Sequence, residues 1–317
     1  MPGARGVYPL AIPPVTKPGI HVSSADPAVA VAVLQWAAAL ELDPPAPVTL
    51  EIVVGTPGPD PGAAPTFSQP HLSLWTDQQG ARLTWDGAPV EALLPGIERR
   101  ARVTLSPAAL NRLDDCCRVF LLGVVILLLR RVGWHHVHAA TAIDPKGRGW
   151  LFAGNAMAGK STTAAWCATR GWAVGTDDTA FLAAAGSRVE VVAARGPLAL
   201  RDGGKALLSR PDGTPLPSRG KTGYRPEDLG GHWAPRIRPD IIAFSAVGTG
   251  ATETGPISPR ETLAALVRWS AWVLFEPSLA DEHLGLLSTL AGQTRSLRLT
   301  LGPDLFAPGD RLMELVP

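Results

Sequence analysis

The chain has 317 residues, of which 46% are hydrophobic and 18% charged, and its formal net charge is +1 at pH 7. This composition is typical of a folded globular protein rather than a disordered one, and the length allows one large core or two modest ones. The near-zero net charge gives no overall attraction to nucleic acid or to a membrane surface. Three cysteines without metal-ligand spacing, no signal-like N-terminus and no apolar run of membrane-spanning length predict a cytoplasmic protein with no membrane partner.

Residues 1–105 predict a small α+β domain. A helix is expected over 27–42 with Asp26 as its N-cap, and strands are expected over 48–54, 71–75, 81–85 and 101–105. The middle two strands alternate in polarity and are joined by Asp-Gln-Gln-Gly at 77–80, which indicates a hairpin, whereas the Pro- and Gly-rich stretch 56–69 indicates a loop. Because no chemical motif is recognisable here, we expect an accessory or substrate-recognition domain.

Residues 106–317 predict a second domain that opens with a long helix. Ser106 is a good N-cap with Pro107 at the first helical position, and the helix is expected to run to about Arg131 and end before Gly133. Its second half is apolar on all sides, so the connecting helix 106–132 should be buried between the two zones. From residue 134 strand and helix patterns alternate, which favours an α/β nucleotide-binding domain. A capping box at 258–261 predicts one further helix start.

The most specific feature of the chain is a complete G-x-x-x-x-G-K-[ST] motif between an apolar strand and a small-residue helix. Such a loop aims backbone N–H groups and a lysine at nucleotide phosphates, while the hydroxyl after the lysine binds Mg²⁺. The sequence therefore predicts a site for a nucleoside triphosphate and Mg²⁺. The predicted nucleotide-binding residues are Gly154, Asn155, Ala156, Met157, Ala158, Gly159, Lys160, Ser161 and Thr162.

Two carboxylates and a histidine complete the predicted site. Asp177 and Asp178 follow a short apolar strand, and in open α/β sheets ligands bind outside the carboxyl ends of strands. Phosphoryl transfer needs one carboxylate on the metal and another to accept the proton of the attacking hydroxyl. His138 opens a strand expected beside that of the loop, where it could orient an aspartate or serve structure alone. His135 and His136 are expected in a linker or at the surface, and a metal site here is not favoured because no Cys, Asp or Glu lies nearby in sequence.

A basic segment between 195 and 238 holds nine arginines and lysines, against four acids. Residues 209–225 are rich in Pro and Gly and are expected to be irregular. Such a segment could cover the nucleotide, bind an acidic substrate, supply the arginine that neutralises transition-state charge, or simply be a solvated loop. Arg236 and Arg238 flank Ile237 just before a strand, so their backbone should be fixed. We place Arg236 among the predicted catalytic residues.

The spacing of these residues resembles the C-terminal domain of HPr kinase/phosphorylase and, more closely, the wider group of HPr-kinase-related proteins. The resemblance rests on Val-His138-Ala, the loop Gly154–Thr162, Arg170-Gly171-Trp172 and the pair Asp177-Asp178, and it extends more weakly over roughly 107–317. The chain departs from the family at Met157, where a small residue is usual, and at Ala193, where the phosphorylase signature would place glutamate. The resemblance therefore leaves open the phosphorylase activity and HPr as acceptor.

The resemblance implies an α/β P-loop kinase that uses ATP and Mg²⁺ to phosphorylate a serine hydroxyl. Carried over by position, it implies that Asp177 is the general base, that His138 is the partner of that base, and that Ser161 and Asp178 are the metal ligands. The acceptor could be a serine of a protein or precursor peptide, or a small molecule such as free serine. A nucleotide-binding regulator or ATPase without an acceptor is the alternative, although a second carboxylate is superfluous for binding alone. Self-association, which the family shows, is compatible with the sequence.

Overall fold

A computed structural model describes residues 19–59, 61–69, 71–208, 212–216, 220–307 and 309–316. The chain divides into two compact units, the first formed by Met1–Ala39 and Asp43–Val132 and the second by Leu40–Leu42 and Gly133–Pro317. Within the described ranges, no helix combines the length and the apolar character that crossing a membrane requires. The protein is a mixed α/β structure built on sheets that contain both parallel and antiparallel strands.

The first unit consists of one seven-stranded sheet, one helix after its first strand and a broken helical segment after its last strand. Its elements are β1 Ile20–Ser24, α1 Pro27–Ala39, β2 Val48–Val54, β3 Phe67–Gln69, β4 Leu72–Asp77, β5 Gly80–Trp85, β6 Val90–Pro95, β7 Arg100–Leu105, α2 Pro107–Leu110, α3 Leu113–Cys116 and α4 Leu122–Arg130. The strands form one sheet in the order β1-β2-β7-β6-β5-β4-β3, parallel from β1 through β7 and antiparallel from β7 through β3. The predicted β4–β5 hairpin is confirmed, whereas β1, β3 and β6 were not predicted.

The predicted connecting helix is interrupted. It begins as expected, because the Ser106 hydroxyl accepts a hydrogen bond from the Ala109 N–H at 3.2 Å, but the chain leaves the helix after Leu110. A π-helical turn, Cys117–Leu121, separates α3 from α4, and the apolar residues of α4 are buried as predicted.

The boundary between the compact units also differs from the predicted one, because it follows Val132 rather than residue 105. The end of the helical segment is tied to the first unit, since the Arg131 guanidinium donates to the carbonyls of Glu98 at 2.6 Å and Leu94 at 3.3 Å. Tertiary hydrogen bonds of this kind have no local sequence signal.

The second unit, apart from Leu40–Leu42, starts at Gly133 and is organised around a larger mixed sheet. Its elements are β8 His135–Ile143, β9 Gly149–Ala153, α5 Lys160–Thr169, β10 Ala173–Val174, β11 Thr179–Ala185, β12 Arg188–Ala193, β13 Leu198–Leu200, α6 Asp202–Leu208, β14 Thr214–Leu216, β15 Lys221–Tyr224, β16 His232–Trp233, β17 Arg236–Ile237, β18 Pro239–Val247, β19 Glu253–Pro256, α7 Pro259–Trp269, α8 Pro277–Gln293, β20 Arg295–Leu301 and α9 Arg311–Leu315. The main sheet has the order β17-β12-β11-β8-β9-β18-β20-β19, and β10 pairs with β8 and β16.

Part of the segment expected to be irregular is regular. Strands β14 and β15 lie within 209–225, and β15 pairs with both β13 and β14 in a small antiparallel sheet. Both strands are short, and their alternation is masked in the sequence by Gly and Pro. Arg210 and Arg219 of the basic segment lie outside the described residues.

Strand β9 lies at the centre of the main sheet and is covered on both faces. Trp150 and Phe152 belong to one core cluster with Trp166 and Trp172, whereas Leu151 belongs to the cluster on the opposite face. This double burial explains why the strand is a continuous apolar run rather than an alternating one. Strand β9 runs parallel to β18 and antiparallel to β8, so the loop that follows it leaves the sheet at a fixed point.

Candidate functional site

The glycine-rich loop joins β9 to α5 and depends on glycine at two positions. Gly154 has φ +153°, and a Cβ there would lie 2.7 Å from the Ser245 carbonyl oxygen of β18. Gly159 has φ +88°, and a Cβ there would lie 2.5 Å from Leu301 Cδ1 of β20. Both glycines therefore combine a backbone conformation that other residues avoid with the close approach of a neighbouring strand.

The start of α5 presents backbone donors without a side-chain cap. The N-cap residue is Gly159, which has no side chain to accept a hydrogen bond from the first turn. Helix starts of this kind bind anions, because several N–H groups point outward and the helix dipole is positive there. Met157 in the middle of the loop has φ +64° and is 81% exposed, so a non-glycine residue is held in a strained conformation at the surface.

Lys160 is folded back into the loop. Its side chain is buried, and Nζ donates to the carbonyl oxygens of Gly154 and Asn155, both at 2.9 Å. Burial lowers the pKa of Lys160, while the charges of Asp178 and Asp177 act in the opposite direction. The ammonium group thus lies inside the curve of the loop and within the field of both aspartates.

The turn that carries the two aspartates is held against β8. The Thr141 hydroxyl accepts from the Thr176 N–H at 3.1 Å, and the Thr176 hydroxyl accepts from the N–H of Asp178 at 3.3 Å. Gly175 is required by close packing, since a Cβ there would lie 2.4 Å from the Thr141 hydroxyl oxygen.

The route by which the aspartates reach this point differs from the expected one. The preceding strand β10 has only two residues, Ala173 and Val174, and it pairs antiparallel with β8. Strand β11 continues antiparallel along β8, with Thr179 opposite His138. Asp177 and Asp178 therefore lie in the turn between β10 and β11, and both of these strands pair with β8.

Asp177 is the buried member of the pair. Its Oδ2 accepts from the Ala199 N–H of β13 at 3.0 Å, and its carboxylate also accepts a hydrogen bond from the Ser161 hydroxyl. Burial, followed by the charge of Asp178, raises the pKa of Asp177; the hydrogen bonds from Ala199 and Ser161 and the charge of Lys221 oppose that rise. Ser161 and Asp177 therefore form one oxygen-rich pair beside Lys160.

Asp178 is the accessible member of the pair. Its Oδ1 lies 2.8 Å from His138 Nδ1, with the aspartate side chain 47% exposed and the histidine side chain 38% exposed. A carboxylate only accepts hydrogen bonds, so Nδ1 carries the shared hydrogen. The resemblance implies that His138 is the partner of Asp177, whereas in the structure His138 contacts Asp178 and Ser161 donates to Asp177.

The other two histidines of β8 are buried, so their expected place in a linker or at the surface was wrong. His136 packs edge-on against the rings of Phe181 and Trp272, with centroid separations of 5.9 and 6.1 Å. Burial is the main cause that lowers the pKa of His136 to about 3, so this ring is neutral near pH 7. His135 packs against the ring of His283 at 4.8 Å. The strand begins earlier than predicted, and this places both rings in the core.

Arg236 is engaged away from the loop. Its guanidinium forms an ion pair with Glu190 and lies 5.6 Å from the ring centroid of Trp134. Among the described residues, the contacts of Arg236 do not include the glycine-rich loop or the aspartates. Its catalytic role stays a prediction without a contact that supports it.

Lys221 of the basic segment lies close enough to the site for its charge to affect the pKa values of Asp177 and Lys160. It opens β15, which pairs with β13 so that Gly223 lies opposite Ala199, the residue that donates to Asp177. The charge of Lys221 lowers the pKa values of both Asp177 and Lys160. Sequence reasoning included Lys221 in the segment but had no signal for singling it out, because its position depends on strand pairing in the small sheet.

Comparisons with known proteins leave the site to be interpreted from its own geometry. The chain matches no family model, and the curated proteins contain no significant match to it. Among solved structures, the Hpr(Ser) kinase/phosphatase from Coxiella burnetii is similar over 39% of this chain and 72% of that chain, at 14% identity and a TM-score of 0.26. A similarity at this level assigns neither fold nor activity.

Proposed function

We propose that the protein is a kinase that transfers the γ-phosphoryl group of ATP, in the presence of Mg²⁺, to a hydroxyl group, with a serine of a protein or precursor peptide as the acceptor. The observation that carries the proposal is the pairing of two carboxylates with different partners beside Lys160. One pair is Ser161 with Asp177, and the other is His138 with Asp178. A binding module has no use for the second pair.

The residues of the loop fit the phosphates of a nucleoside triphosphate. Glycine at 154 and 159 lets the loop turn sharply against β18 and β20, and the uncapped start of α5 offers N–H donors to phosphate oxygens. The Lys160 ammonium is positioned by two loop carbonyls and can exchange them for phosphate oxygens, which are stronger acceptors because they are charged.

Ser161 and Asp177 are the residues that fit magnesium. A hydroxyl and a carboxylate oxygen are hard ligands of the kind that Mg²⁺ prefers, and here they already share a hydrogen bond. Bound there, the metal would supply positive charge to the phosphates. The raised pKa of Asp177 reflects burial near Asp178, a setting that favours the arrival of a cation.

Asp178 is the better candidate for the general base, which reverses the roles implied by the family resemblance. Asp177 is buried and both its neighbours donate to it, whereas about half of the Asp178 side chain is open to an incoming hydroxyl. In the proposed step the acceptor oxygen attacks the γ-phosphorus, its proton passes to Asp178, and the bond from the γ-phosphorus to the β–γ bridging oxygen breaks to release ADP. His138 holds the Asp178 carboxylate in position, and Lys160 neutralises charge on the transferred group.

Substitution of the two aspartates tests this assignment. Asp178→Asn should bind Mg²⁺ and ATP nearly normally but lose transfer by roughly 10²- to 10⁴-fold, the usual contribution of a general base. Asp177→Asn should instead require more Mg²⁺ for nucleotide binding. The measurements are transfer of label from γ-labelled ATP to free serine or to a degenerate serine peptide pool, and nucleotide titration at several Mg²⁺ concentrations.

Asp281→Asn is the matched control, because Asp281 is exposed on α8. Near-normal transfer by Asp178→Asn would remove Asp178 from the role of base. Release of free phosphate without labelled acceptor would indicate an ATPase, and nucleotide binding without any turnover would indicate a regulator.

A further inference from the structure

The exposed face of the first unit's sheet contains a cavity of about 840 Å³ that is also lined by Pro61, Ala63, Ala64 and Thr66 of the loop that follows β2, of which the structure describes residues 55–59 and 61–66. The loop is anchored to the sheet at several points. The Arg82 guanidinium donates to the Pro59 carbonyl at 2.6 Å, and the Trp75 indole N–H donates to the Ala63 carbonyl at 2.8 Å. The Thr66 hydroxyl accepts from the backbone N–H of Thr76 at 3.0 Å. These bonds hold the loop above the sheet as a fixed wall of the cavity.

A single row of side chains crosses five strands under this loop. Direct register partners place Glu51 beside Arg102, Arg102 beside Leu93, Leu93 beside Arg82, and Arg82 beside Trp75. Partners of this kind lie on the same face of the sheet, so the row is continuous. All five residues line the cavity.

The charged side chains in and beside this row differ in whether they form ion pairs. Arg82 forms an ion pair with Glu91 at 2.6 Å, and Arg100, which also lines the cavity, pairs with Glu98 at 2.7 Å. Arg102 is exposed and has no ion pair within the described ranges, which do not include Asp60. Leu93, its direct neighbour, is 42% exposed. Among the residues that the structure describes, a cation without an ion pair thus lies beside an accessible apolar side chain.

We propose that this cavity binds an acidic peptide segment, with a Glu or Asp side chain of the peptide on Arg102 and an adjacent apolar side chain on Leu93 and Trp75. The volume lies within the usual range for ligand pockets, and the row presents a cation and an apolar side chain on neighbouring strands about 4.8 Å apart, within reach of one short peptide segment. Glu51 and Asp77 also line the cavity, which disfavours a polyanion such as nucleic acid. Peptide binding is a separate property of the cavity; that the bound peptide is the phosphate acceptor rests on the proposed function.

The test uses the full chain and two degenerate hexapeptide pools, each with a central photoreactive residue. One pool contains Glu, Leu, Ser and Ala at the other positions, and the second has Lys in place of Glu. Without nucleotide, we expect the acidic pool to cross-link preferentially at the cavity, as mapped by mass spectrometry. Arg102→Gln should lower that yield by about fivefold, a typical effect for a partly exposed charge-assisted contact. Arg102→Glu should reverse the preference between the pools.

Arg99→Gln is the matched control, because Arg99 is an exposed arginine that does not line the cavity. It should leave the yield unchanged. Equal capture of both pools, adducts outside the cavity, or a preference unaffected by Arg102→Glu would each overturn the proposal.

The two proposals fail separately. Lys160→Ala should abolish phosphate transfer but not cross-linking of the acidic pool, because Lys160 belongs to the other unit. Cross-linking at the cavity by a protein that never phosphorylates the serine of that pool would leave the peptide site standing and remove the kinase. Transfer without capture at the cavity would remove the peptide site and leave the kinase.

Discussion

Gly159 illustrates how one residue carries two separate requirements. Its φ of +88° costs an L-amino acid about 1–2 kcal/mol, and the nearby Leu301 side chain leaves no room for a Cβ. Gly147 has nearly the same backbone conformation, φ +82°, but a Cβ there would meet nothing within 4 Å. A comparison of Gly159 with Gly147 therefore separates the effect of backbone strain from the effect of the close approach of β20.

We expect Gly159→Ala and Gly147→Ala to lower the free energy of unfolding, Gly147→Ala by about 1 kcal/mol. Only Gly159→Ala should also lose nucleotide binding, because Gly159 is the N-cap of α5, and an added Cβ there would combine a strained φ with a contact of 2.5 Å to Leu301 Cδ1. Urea unfolding and titration with a fluorescent ATP analogue measure the two effects. Equal binding by the two variants would show that the loop does not form the nucleotide site.

The pairing of side chains within the site could not be derived at the residue scale. The motif spacing identified Lys160, Ser161 and both aspartates as candidates, because each residue type suits one task in phosphoryl transfer. Which carboxylate faces Ser161 and which faces His138 depends on the turn between β10 and β11, where the Thr176 hydroxyl fixes the backbone. Adjacent identical residues give no sequence signal for that choice.

At the scale of secondary structure, local sequence signals predicted where a helix starts better than how far it continues. The capping box of α7 is formed as predicted: the Ser258 hydroxyl accepts from the Glu261 N–H at 3.3 Å, and the Glu261 carboxylate accepts from the Ser258 N–H at 3.0 Å. The helix predicted from Ser106 also starts correctly but is interrupted at 111–112 and again by the π-helical turn. Tertiary packing decides such interruptions.

We expect Ser258→Ala to lower the free energy of unfolding by about 1 kcal/mol, because it removes the hydroxyl that accepts a hydrogen bond from the Glu261 N–H, while the backbone N–H of residue 258 can still donate to the Glu261 carboxylate. Ser278→Ala is the control, since Ser278 is exposed in the first turn of α8 and is not its N-cap. Denaturant unfolding of the two variants measures the difference. A Ser258→Ala protein as stable as Ser278→Ala would mean that packing, not capping, fixes this helix start.

At the scale of the whole molecule, the two compact units should respond differently to nucleotide. A ligand stabilises the structure that it binds by about 2.7 kcal/mol when its concentration is a hundred times its Kd. All residues of the proposed nucleotide site lie in the second unit. We therefore expect Mg²⁺ and ATP to slow amide hydrogen exchange in β9, α5 and the turn at Asp177 and Asp178.

Hydrogen exchange with mass spectrometry, with and without Mg²⁺ and ATP, measures this protection. Lys160→Ala should remove it, and strands β3 to β6 of the first unit should exchange at the same rate in both conditions. Protection centred on the first unit would contradict the assignment of the nucleotide site.

The sequence alone determined those features that depend on neighbours along the chain. Each of these features involves residues only a few positions apart. They are the two glycines, Gly154 and Gly159, ahead of Lys160, the apolar run of β9, the hairpin at 77–80 and the capping box at Ser258. Tertiary structure decided what depends on distant segments meeting: the pairing of Asp178 with His138 across two strands, the approach of β13 and Lys221 to the aspartates, the burial of His135 and His136, and the division of the chain after Val132. Strand register sets these contacts, and register is a property of the folded sheet rather than of any one segment.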